Sequence, residues 1–407
     1  MKYFNKVLCS LAAIILLCFS VQTAVFAADK NEKFDKIQFA YGGIMSISHY
    51  GDTAFYPANS LEGVESAIKK GADMVSVSVR KTSDGVFVLL DTKELSSLCD
   101  TDEKDIGAIT SENAKKLKLI ASDKSVSDCK VAFLEEAIDA VSGKAILILD
   151  NAWEFRDEIC NLIKEKDAEK SVMLRTFESA KKILQFKQES QTEVSVIGIY
   201  DGNIVFNAIS HLNLLSREGE GLTQYQSKNF FNVMYQSIVS SRYSLYGNAR
   251  AAAPAYDPDL CGQREDSIVG WDDLISRGFS VIETNCIEEL TAYIKQCESC
   301  SVQLEKLNEK AGAVDRSAFS SVSAKNLETA IANAESCVLN RNTSLSSLQN
   351  SLSSLDKALN SLSYKTEDDT QKGSLNVTSG KIAATVIFGL LILAAQIYVH
   401  KMQKKKQ

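Results

Sequence analysis

The chain of 407 residues has a formal net charge of -7, from 45 basic and 52 acidic side chains. Its basic residues form no cluster outside the extreme C-terminus. We therefore do not expect the protein to bind nucleic acid, because binding to a phosphate backbone depends on clustered Lys and Arg. The length exceeds that of one typical domain, so we expect at least two domains.

The N-terminus has the pattern of an export signal. Lys2 and Lys6 precede an apolar run over residues 7–19, and residues 25–27 (Val-Phe-Ala) offer small side chains at a cleavage position. We therefore predict a signal peptide over residues 1–27, with the rest of the chain exported.

Residues 40–297 alternate short apolar runs with amphipathic helical segments. The predicted strands are 44–48, 74–79, 86–90, 145–149, 172–175, 194–200 and 279–283, and the predicted helices are 60–70, 134–141, 154–166, 178–186, 271–277 and 287–296. Residues 202–266 are harder to assign, apart from a predicted helix over 230–241. This rhythm is typical of an α/β fold of about 250 residues, the TIM (β/α)8 barrel. An open doubly wound sheet is the main alternative, but no Gly-rich phosphate loop follows a strand.

Residues 301–363 predict a three-helix bundle, because apolar side chains recur there at helical spacing. The stripes are Leu304, Leu307, Ala311 and Val314, then Leu327, Ile331, Ala334 and Val338, then Leu348, Leu352, Leu355, Leu359 and Leu362. Asn340-Arg341-Asn342-Thr343-Ser344 before the last helix resembles the FIVAR modules of Gram-positive surface proteins. A helical spacer without a binding role is the alternative interpretation.

The C-terminus predicts a membrane anchor. Residues 364–380 form a polar linker, and the apolar run 382–399 spans about 27 Å as a helix, close to the thickness of a bilayer core. The lysine-rich tail 400–407 places the end of the chain in the cytoplasm. We expect a single-pass protein of the plasma membrane whose ectodomain is extracellular. The run also resembles the end of a wall-sorting signal, although no Leu-Pro-x-Thr-Gly motif precedes it.

Eight of the ten cysteines lie between the predicted signal and anchor, and an even number in an exported chain permits disulfides. Cys297 and Cys300 form the only Cys-x-x-Cys pair. His49 and His211 are the only histidines in the ectodomain, so a structural zinc site lacks evident partners.

Several motifs in the first half of the chain keep a common spacing. They are His49-Tyr50-Gly51, Pro57-Ala58-Asn59-Ser60, Gly71-Ala72-Asp73 and Thr82-Ser83-Asp84-Gly85, with further similarity over residues 131–136 and 270–285. Together they resemble the glycerophosphodiester phosphodiesterase family over residues 40–297. The resemblance implies a TIM barrel that cleaves glycerophosphodiesters with acidic metal ligands and two histidines.

The resemblance places the catalytic positions at His49 and Asp91. The family carries its first histidine after the first strand, where this chain has His49, and its second histidine where this chain has Asp91. An aspartate with an ordinary pKa near ~3.9 is a poor acid for a leaving alkoxide at neutral pH. His211 is a possible substitute that nothing in the sequence places at the site.

The metal positions of the family are also changed. Its Glu-x-Asp on the second strand corresponds to Ser76 and Ser78, and its third acidic ligand corresponds to Asp150. Hydroxyls are poor replacements for carboxylates around Ca²⁺ or Mg²⁺. We therefore expect no cofactor, with at most weak metal binding at Asp150, and Ca²⁺ or Mg²⁺ only if the protein is active.

The matching positions also give candidate substrate contacts, namely Tyr50, Asn59, Ser76 and Ser78. Ser60 is in addition a suitable N-cap for the helix that follows it. The sequence thus predicts a surface protein with weak or lost hydrolase activity. Its expected ligand is a glycerophosphate-like molecule, a wall polymer or a protein.

The alternative is an active phosphoric diester hydrolase that releases glycerol phosphate and an alcohol. In that case His49 would act as acid or base and Asp91 and Asp150 would hold a metal ion. Ser76 and Ser78 would then orient the substrate.

Overall fold

The structure is a computed structural model that describes residues 32–37, 43–92, 94–200, 222–225, 250–256 and 266–365. The predicted signal peptide, the predicted transmembrane helix over 382–399, the cytoplasmic tail, His211 and the predicted helix over 230–241 all lie outside these residues. Among the helices that are described, none combines the length and the apolar character needed to cross a bilayer.

The strands build a barrel. In chain order they are β1 (Met45–Ser48), β2 (Met74–Lys81), β3 (Phe87–Leu89), β4 (Lys118–Ile120), β5 (Val126–Lys130), β6 (Ile146–Asp150), β7 (Val172–Thr176), β8 (Ser195–Tyr200), β9 (Leu222–Tyr225), β10 (Arg250–Pro254) and β11 (Val281–Thr284). Strand β1 pairs in parallel with both β2 and β11, which closes the order β1-β2-β6-β7-β8-β9-β10-β11. The predicted parallel α/β fold of the TIM type is confirmed, and the closed ring rules out the open doubly wound sheet.

Two antiparallel additions extend the barrel. Strand β3 pairs with the end of β2, and β4 pairs with β5 in a separate hairpin. A local core that includes Val88, Leu95, Cys99 and Leu119 fills the space beneath this insertion.

Helices cover the outside of the ring and continue into a bundle. They are α1 (Glu32–Ile37), α2 (Leu61–Lys69), α3 (Ser111–Ala114), α4 (Leu134–Val141), α5 (Arg156–Glu165), α6 (Ala180–Ser190), α7 (Ile268–Ser276), α8 (Ile287–Gly312), α9 (Ser321–Leu339) and α10 (Leu345–Asn360), with 3-10 turns at Leu95–Ser97, Ile106–Ala108, Trp153–Phe155 and Arg316–Ala318. The hydroxyl of Ser60 accepts a hydrogen bond from the amide of Gly63 at 3.1 Å, so Ser60 is the N-cap of α2.

The strand periodicity of two divides the buried side chains into two layers. One cluster lies between sheet and helices and includes Val75, Val77 and Leu147. The other fills the barrel interior and consists of Met45, Ile47, Met74, Ile146, Ile148, Met173, Ile197, Ala252 and Val281. On β2, β6, β7 and β11, the next inward-facing position towards the carboxyl end of the strand is occupied by a polar side chain. The apolar interior therefore ends beneath a polar layer.

Helix α8 runs without a break for 26 residues from the barrel into the bundle. It passes through the boundary predicted between residues 297 and 301, because its buried face continues from Leu290 to Leu304. Barrel residues such as Trp271 share one core cluster with bundle residues such as Leu327 and Leu355. The predicted three helices are present, while their FIVAR resemblance stays a prediction.

Candidate functional site

The polar layer closes the barrel interior at the carboxyl ends of the strands, where TIM barrels build their sites. It consists of Ser76 and Ser78 on β2, Asp150 on β6, Arg175 on β7 and Glu283 on β11, with His49 directly after β1. A cavity of about 750 Å³ opens above the layer, and its walls include Tyr50, Asp91, Trp153, Phe177 and Tyr256. The sequence-predicted positions His49, Tyr50, Asp91 and Asp150 all line this cavity.

A buried arginine joins two carboxylates at the centre of this layer. The Nε atom of Arg175 donates to Oδ1 of Asp150 at 2.6 Å, and its Nη2 donates to Oδ2 of the same carboxylate. Its Nη1 donates to Oε2 of Glu283 at 2.8 Å. Arg175 is 5% exposed and Glu283 is 0% exposed. The guanidinium therefore reaches from the neighbouring strand β6 across the barrel to β11.

Sequence reasoning did not identify Arg175 or Glu283 as site residues. A usable signal was present, because each is a charged side chain within a short apolar strand, Val172–Thr176 or Val281–Thr284. Charged side chains are rarely buried unless they are paired. Which partner each would find depends on strand order, and the sequence pattern does not supply that order.

His49 is held by a carboxylate and by two aromatic rings. Its Nδ1 atom lies 3.1 Å from Oε1 of Glu283. Its ring stacks on Tyr50 and on Tyr256, with ring centroids 3.9 Å and 4.2 Å away. Because a carboxylate at one ring nitrogen fixes the orientation of an imidazole, Glu283 positions His49 at the cavity. Tyr256 lies outside every sequence motif and was not predicted.

The two serines that replace the expected carboxylates are turned into the protein. The Ser76 hydroxyl donates to Oε1 of Glu283 at 3.0 Å, and the Ser78 hydroxyl donates to Oδ1 of Asp91 at 3.1 Å. Both side chains are 0% exposed. They support the carboxylates from below, so in this arrangement neither hydroxyl is presented to a ligand in the cavity.

Tyr50 lines the cavity, whereas Asn59 is buried behind it and is not among the lining residues. The side-chain oxygen of Asn59 accepts a hydrogen bond from the backbone amide of Ser78 at 2.7 Å and is buried, which links the first loop to β2. The Tyr50 hydroxyl donates to Oδ1 of Asp91 at 3.3 Å. Burial, together with the nearby carboxylate of Asp150, raises the pKa of Tyr50 well above its ordinary value, so the phenol stays protonated and keeps its proton to donate.

The two carboxylates that share Arg175 are not equivalent. Burial alone would raise the pKa of Glu283, but the charge of Arg175 and the hydrogen bond with His49 outweigh it and hold this pKa well below the ordinary value. For Asp150, burial outweighs the attraction of Arg175, and the charge of Glu283 adds to the effect, so its pKa is raised. Glu283 is thus the more firmly ionised partner.

A divalent cation does not fit this arrangement. Ca²⁺ and Mg²⁺ take six or more oxygen ligands, several of them carboxylate oxygens. Both oxygens of Asp150 and one oxygen of Glu283 bind Arg175, and the second oxygen of Glu283 meets His49 and Ser76. In the described part of the chain, no group of three or more His, Cys, Asp or Glu side chains is arranged to hold a metal ion.

Comparison with known proteins supports the resemblance found in the sequence and the fold. Residues 49–209 match the sequence model of the glycerophosphoryl diester phosphodiesterase family. No curated protein sequence matches the chain.

Solved structures of phosphodiesterases also resemble the chain. A glycerophosphoryl diester phosphodiesterase from Parabacteroides distasonis has 19% identity and a TM-score of 0.55, over 65% of this chain and 91% of that protein. A phosphodiesterase from Oleispira antarctica, solved with sn-glycerol-3-phosphate, has 16% identity and a TM-score of 0.47 over 62% and 98%. At these identities the similarity concerns the fold alone. Only the Parabacteroides distasonis structure, with its TM-score of 0.55, supports the fold.

Proposed function

We propose that this chain, which resembles the glycerophosphoryl diester phosphodiesterase family and matches its sequence model over residues 49–209, is a binding protein with weak or lost hydrolase activity. Its ligand is a glycerophosphate-like small molecule held in the cavity above the polar layer. The predicted export signal and anchor would display the barrel on the outer face of the plasma membrane.

One observation carries the proposal: the polar groups of the layer are bonded to one another. Arg175 binds Asp150 and Glu283, Ser76 binds Glu283, and Ser78 binds Asp91. This leaves no carboxylate set for a divalent cation among the described residues. A metal supplies several kcal/mol of charge stabilisation at phosphoryl oxygens, so its loss removes a large part of the acceleration.

The acid–base pair is also incomplete. His49 is the only histidine in the described part of the chain, and Asp91 lies where the resemblance implies a second one. One positioned acid or base contributes about 10²- to 10⁴-fold to a rate. Without its partner, the remaining histidine can still orient or hydrogen-bond a ligand, which is the role that the proposal gives it.

The cavity suits a small polar molecule. Its volume of about 750 Å³ lies within the range of ligand pockets in general. Its walls combine aromatic faces, such as Trp153 and Tyr256, with polar atoms of His49 and Arg80. A polyol with a phosphoryl group could therefore make both apolar and hydrogen-bonding contacts.

The proposal is tested on the full-length protein in detergent. We expect no turnover of glycerophosphocholine above the blank with Ca²⁺, Mg²⁺ or Mn²⁺, and saturable calorimetric binding of glycerol 3-phosphate that His49→Ala weakens at least tenfold. Glu158→Gln changes an exposed residue away from the cavity and serves as the matched control. Metal-dependent turnover, or no binding of the probe at millimolar concentration, would contradict the proposal.

A second candidate function has a specific observation in its favour. The oriented pair of His49 and Glu283 is an arrangement that can activate water without a metal ion. In this case hydrolysis would persist in EDTA and would be lost in His49→Ala. Turnover of this kind would identify a metal-independent phosphodiesterase and would replace the binding proposal.

A further inference from the structure

Arg175 lies in the barrel mouth between two carboxylates that come from different sides of the ring, Asp150 and Glu283. Strand β7 lies next to β6, which carries Asp150, whereas β11 with Glu283 lies several strands away around the ring. One guanidinium nevertheless binds both carboxylates. Its planar fork suits this role, because it offers five donors in a fixed geometry and stays charged.

Neither carboxylate can lose this partner without a replacement. The side chain of Glu283 is fully buried and that of Asp150 is 13% exposed. An ionised carboxylate in such surroundings must be paired with a cation or take up a proton. Arg175 is the only basic side chain that forms an ion pair with both of them among the described residues.

We propose that Arg175 is a built-in cation that closes a latent divalent-cation site formed by Asp150 and Glu283. In the native chain, the guanidinium fills the space and neutralises charge that a metal ion would otherwise neutralise. The ligand oxygens would be the two carboxylates, which are of the type that Ca²⁺ and Mn²⁺ prefer. Native ligand binding would then be the same in millimolar Ca²⁺ and in EDTA.

Removal of the guanidinium should therefore create metal binding where the native protein has none. Arg175→Met keeps an unbranched side chain of similar length and removes the guanidinium that the two carboxylates share. A divalent cation that enters from the cavity can then replace the guanidinium, because one doubly charged ion balances both carboxylates, whereas water supplies no charge. The double variant Arg175→Met/Asp150→Asn lacks one of the two carboxylates and should lose this response.

The experiment measures thermal unfolding and calorimetric metal binding of the full-length protein in detergent, with EDTA, Ca²⁺, Mg²⁺ or Mn²⁺. For the native chain we expect the same melting temperature in all conditions. For Arg175→Met we expect a lower melting temperature in EDTA, a rise with Ca²⁺ or Mn²⁺, and a Kd at least 100-fold below that of the native chain. Arg156→Met is the matched control, because this arginine lies over the Trp153 ring and pairs with Asp157 instead of Asp150 or Glu283, so the variant should show no metal response.

If Arg175→Met does not fold in EDTA, the yield of folded protein after refolding replaces the melting temperature. A yield that depends on Ca²⁺ or Mn²⁺, and on Asp150, supports the proposal. The proposal is overturned if no divalent ion affects Arg175→Met, or if the native chain binds the ion as tightly. The readout is metal affinity, so its failure leaves the proposed binding function untouched. Turnover by the native chain that persists in EDTA would overturn the binding function and leave this inference untouched, whereas metal-dependent turnover would contradict both.

Discussion

Nδ1 of His49 lies 3.1 Å from Oε1 of Glu283, although 234 positions separate the two residues in the chain. They meet because β1 pairs with β11 when the barrel closes, with Ile47 opposite Glu283 in the register. The contact joins the first and last strands at the mouth. It also connects the only described histidine to the buried pair with Arg175.

Glu283→Gln should destabilise the protein strongly. The substitution keeps the shape but leaves Arg175 with one carboxylate and removes the charge that orients His49. Breaking a buried ion pair from one side costs about 3–5 kcal/mol. Urea unfolding followed by circular dichroism measures the loss.

Two controls separate this effect from ordinary surface changes. Ser76→Ala removes one hydroxyl bonded to Glu283 and should cost about 1 kcal/mol. Glu158→Gln removes an exposed partner of Lys81 and should change the stability by about 0–1 kcal/mol. Equal effects of Glu283→Gln and Glu158→Gln would show that the buried pair does not matter for stability.

The same pair predicts a pH dependence with a defined sign. The pKa of Glu283 is lower in the folded protein than in the unfolded chain, so its contribution is present above the ordinary value of about 4.3. That contribution is lost as the pH falls through the folded-state pKa. We therefore expect the difference in unfolding free energy between the native chain and Glu283→Gln to shrink as the pH falls from about 4.3 towards 2.

Asp150 contributes with the opposite sign. Its pKa is raised on folding, so its contribution is present below the ordinary value and is lost as the pH rises through the folded-state pKa. Unfolding curves of Asp150→Asn at pH values above its ordinary pKa of about 3.9 separate the two groups, because the Asp150 contribution changes there and the Glu283 contribution changes below about 4.3. A difference between the native chain and Glu283→Gln that is constant with pH would contradict the assignment of the low pKa to Glu283.

Gly51→Ala should disturb the first loop of the mouth. Gly51 has φ +89°, and an added Cβ would lie 2.8 Å from the carbonyl carbon of Gly63. Such a position combines backbone strain with a clash against another backbone segment, so we expect a loss of about 3 kcal/mol or more. Gly143→Ala is the matched control, because Gly143 has φ +66° and no atom within 4 Å of the added Cβ.

The control should cost only about 1 kcal/mol, the strain of a left-handed alanine. Thermal unfolding of both variants gives the difference, which reports the contact with Gly63 alone. If both variants lose the same stability, the close approach of the two loops is not tight in solution.

Asp272→Ala should loosen the junction between barrel and bundle. The Asp272 carboxylate on α7 accepts hydrogen bonds from the Tyr293 hydroxyl and from the backbone amide of Ser346, each at 3.0 Å. The Tyr293 hydroxyl in turn accepts one from the amide of Leu345 at 3.2 Å. We expect a loss of about 2 kcal/mol, because hydrogen bonds to a charged group contribute about 1.5–3 kcal/mol.

Limited proteolysis is the readout specific to the junction. Asp272→Ala should speed cleavage near residues 339–346, while Asp356→Asn, which alters an exposed contact within α10, should not. A protease pattern that is unchanged in Asp272→Ala would indicate that the shared apolar core holds the bundle without this carboxylate.

Local patterns predicted much of the fold. The alternating runs predicted the strands β1, β2, β3, β6, β7 and β8 and the helices α2, α4, α5 and α6, and the hydroxyl of Ser60 indicated the start of α2. The short helix α3 and the hairpin of β4 and β5 were not predicted. Apolar stripes in the last third indicated three helices. These features follow from neighbours within a few residues, so spacing alone reveals them.

The site was predicted only in part. His49 and Asp91 are at the cavity, as the motif spacing indicated, but Ser76 and Ser78 point to carboxylates of the protein instead of the cavity. Arg175, Tyr256 and Glu283 were missed because their roles arise from contacts between distant strands. The sequence showed that hydroxyls replace two expected metal ligands. It could not show that Arg175 of β7 lies between Asp150 and Glu283.

The sequence by itself determined an α/β pattern of alternating strands and helices, a helical extension, and motifs that resemble those of glycerophosphodiester phosphodiesterases, because strand and helix periods and motif spacings are properties of short segments. Only the tertiary structure decided which charges meet. Closing eight strands into a ring brings β1, β6, β7 and β11 to one mouth, and the buried carboxylates there take the nearest permanent cation. That cation is Arg175.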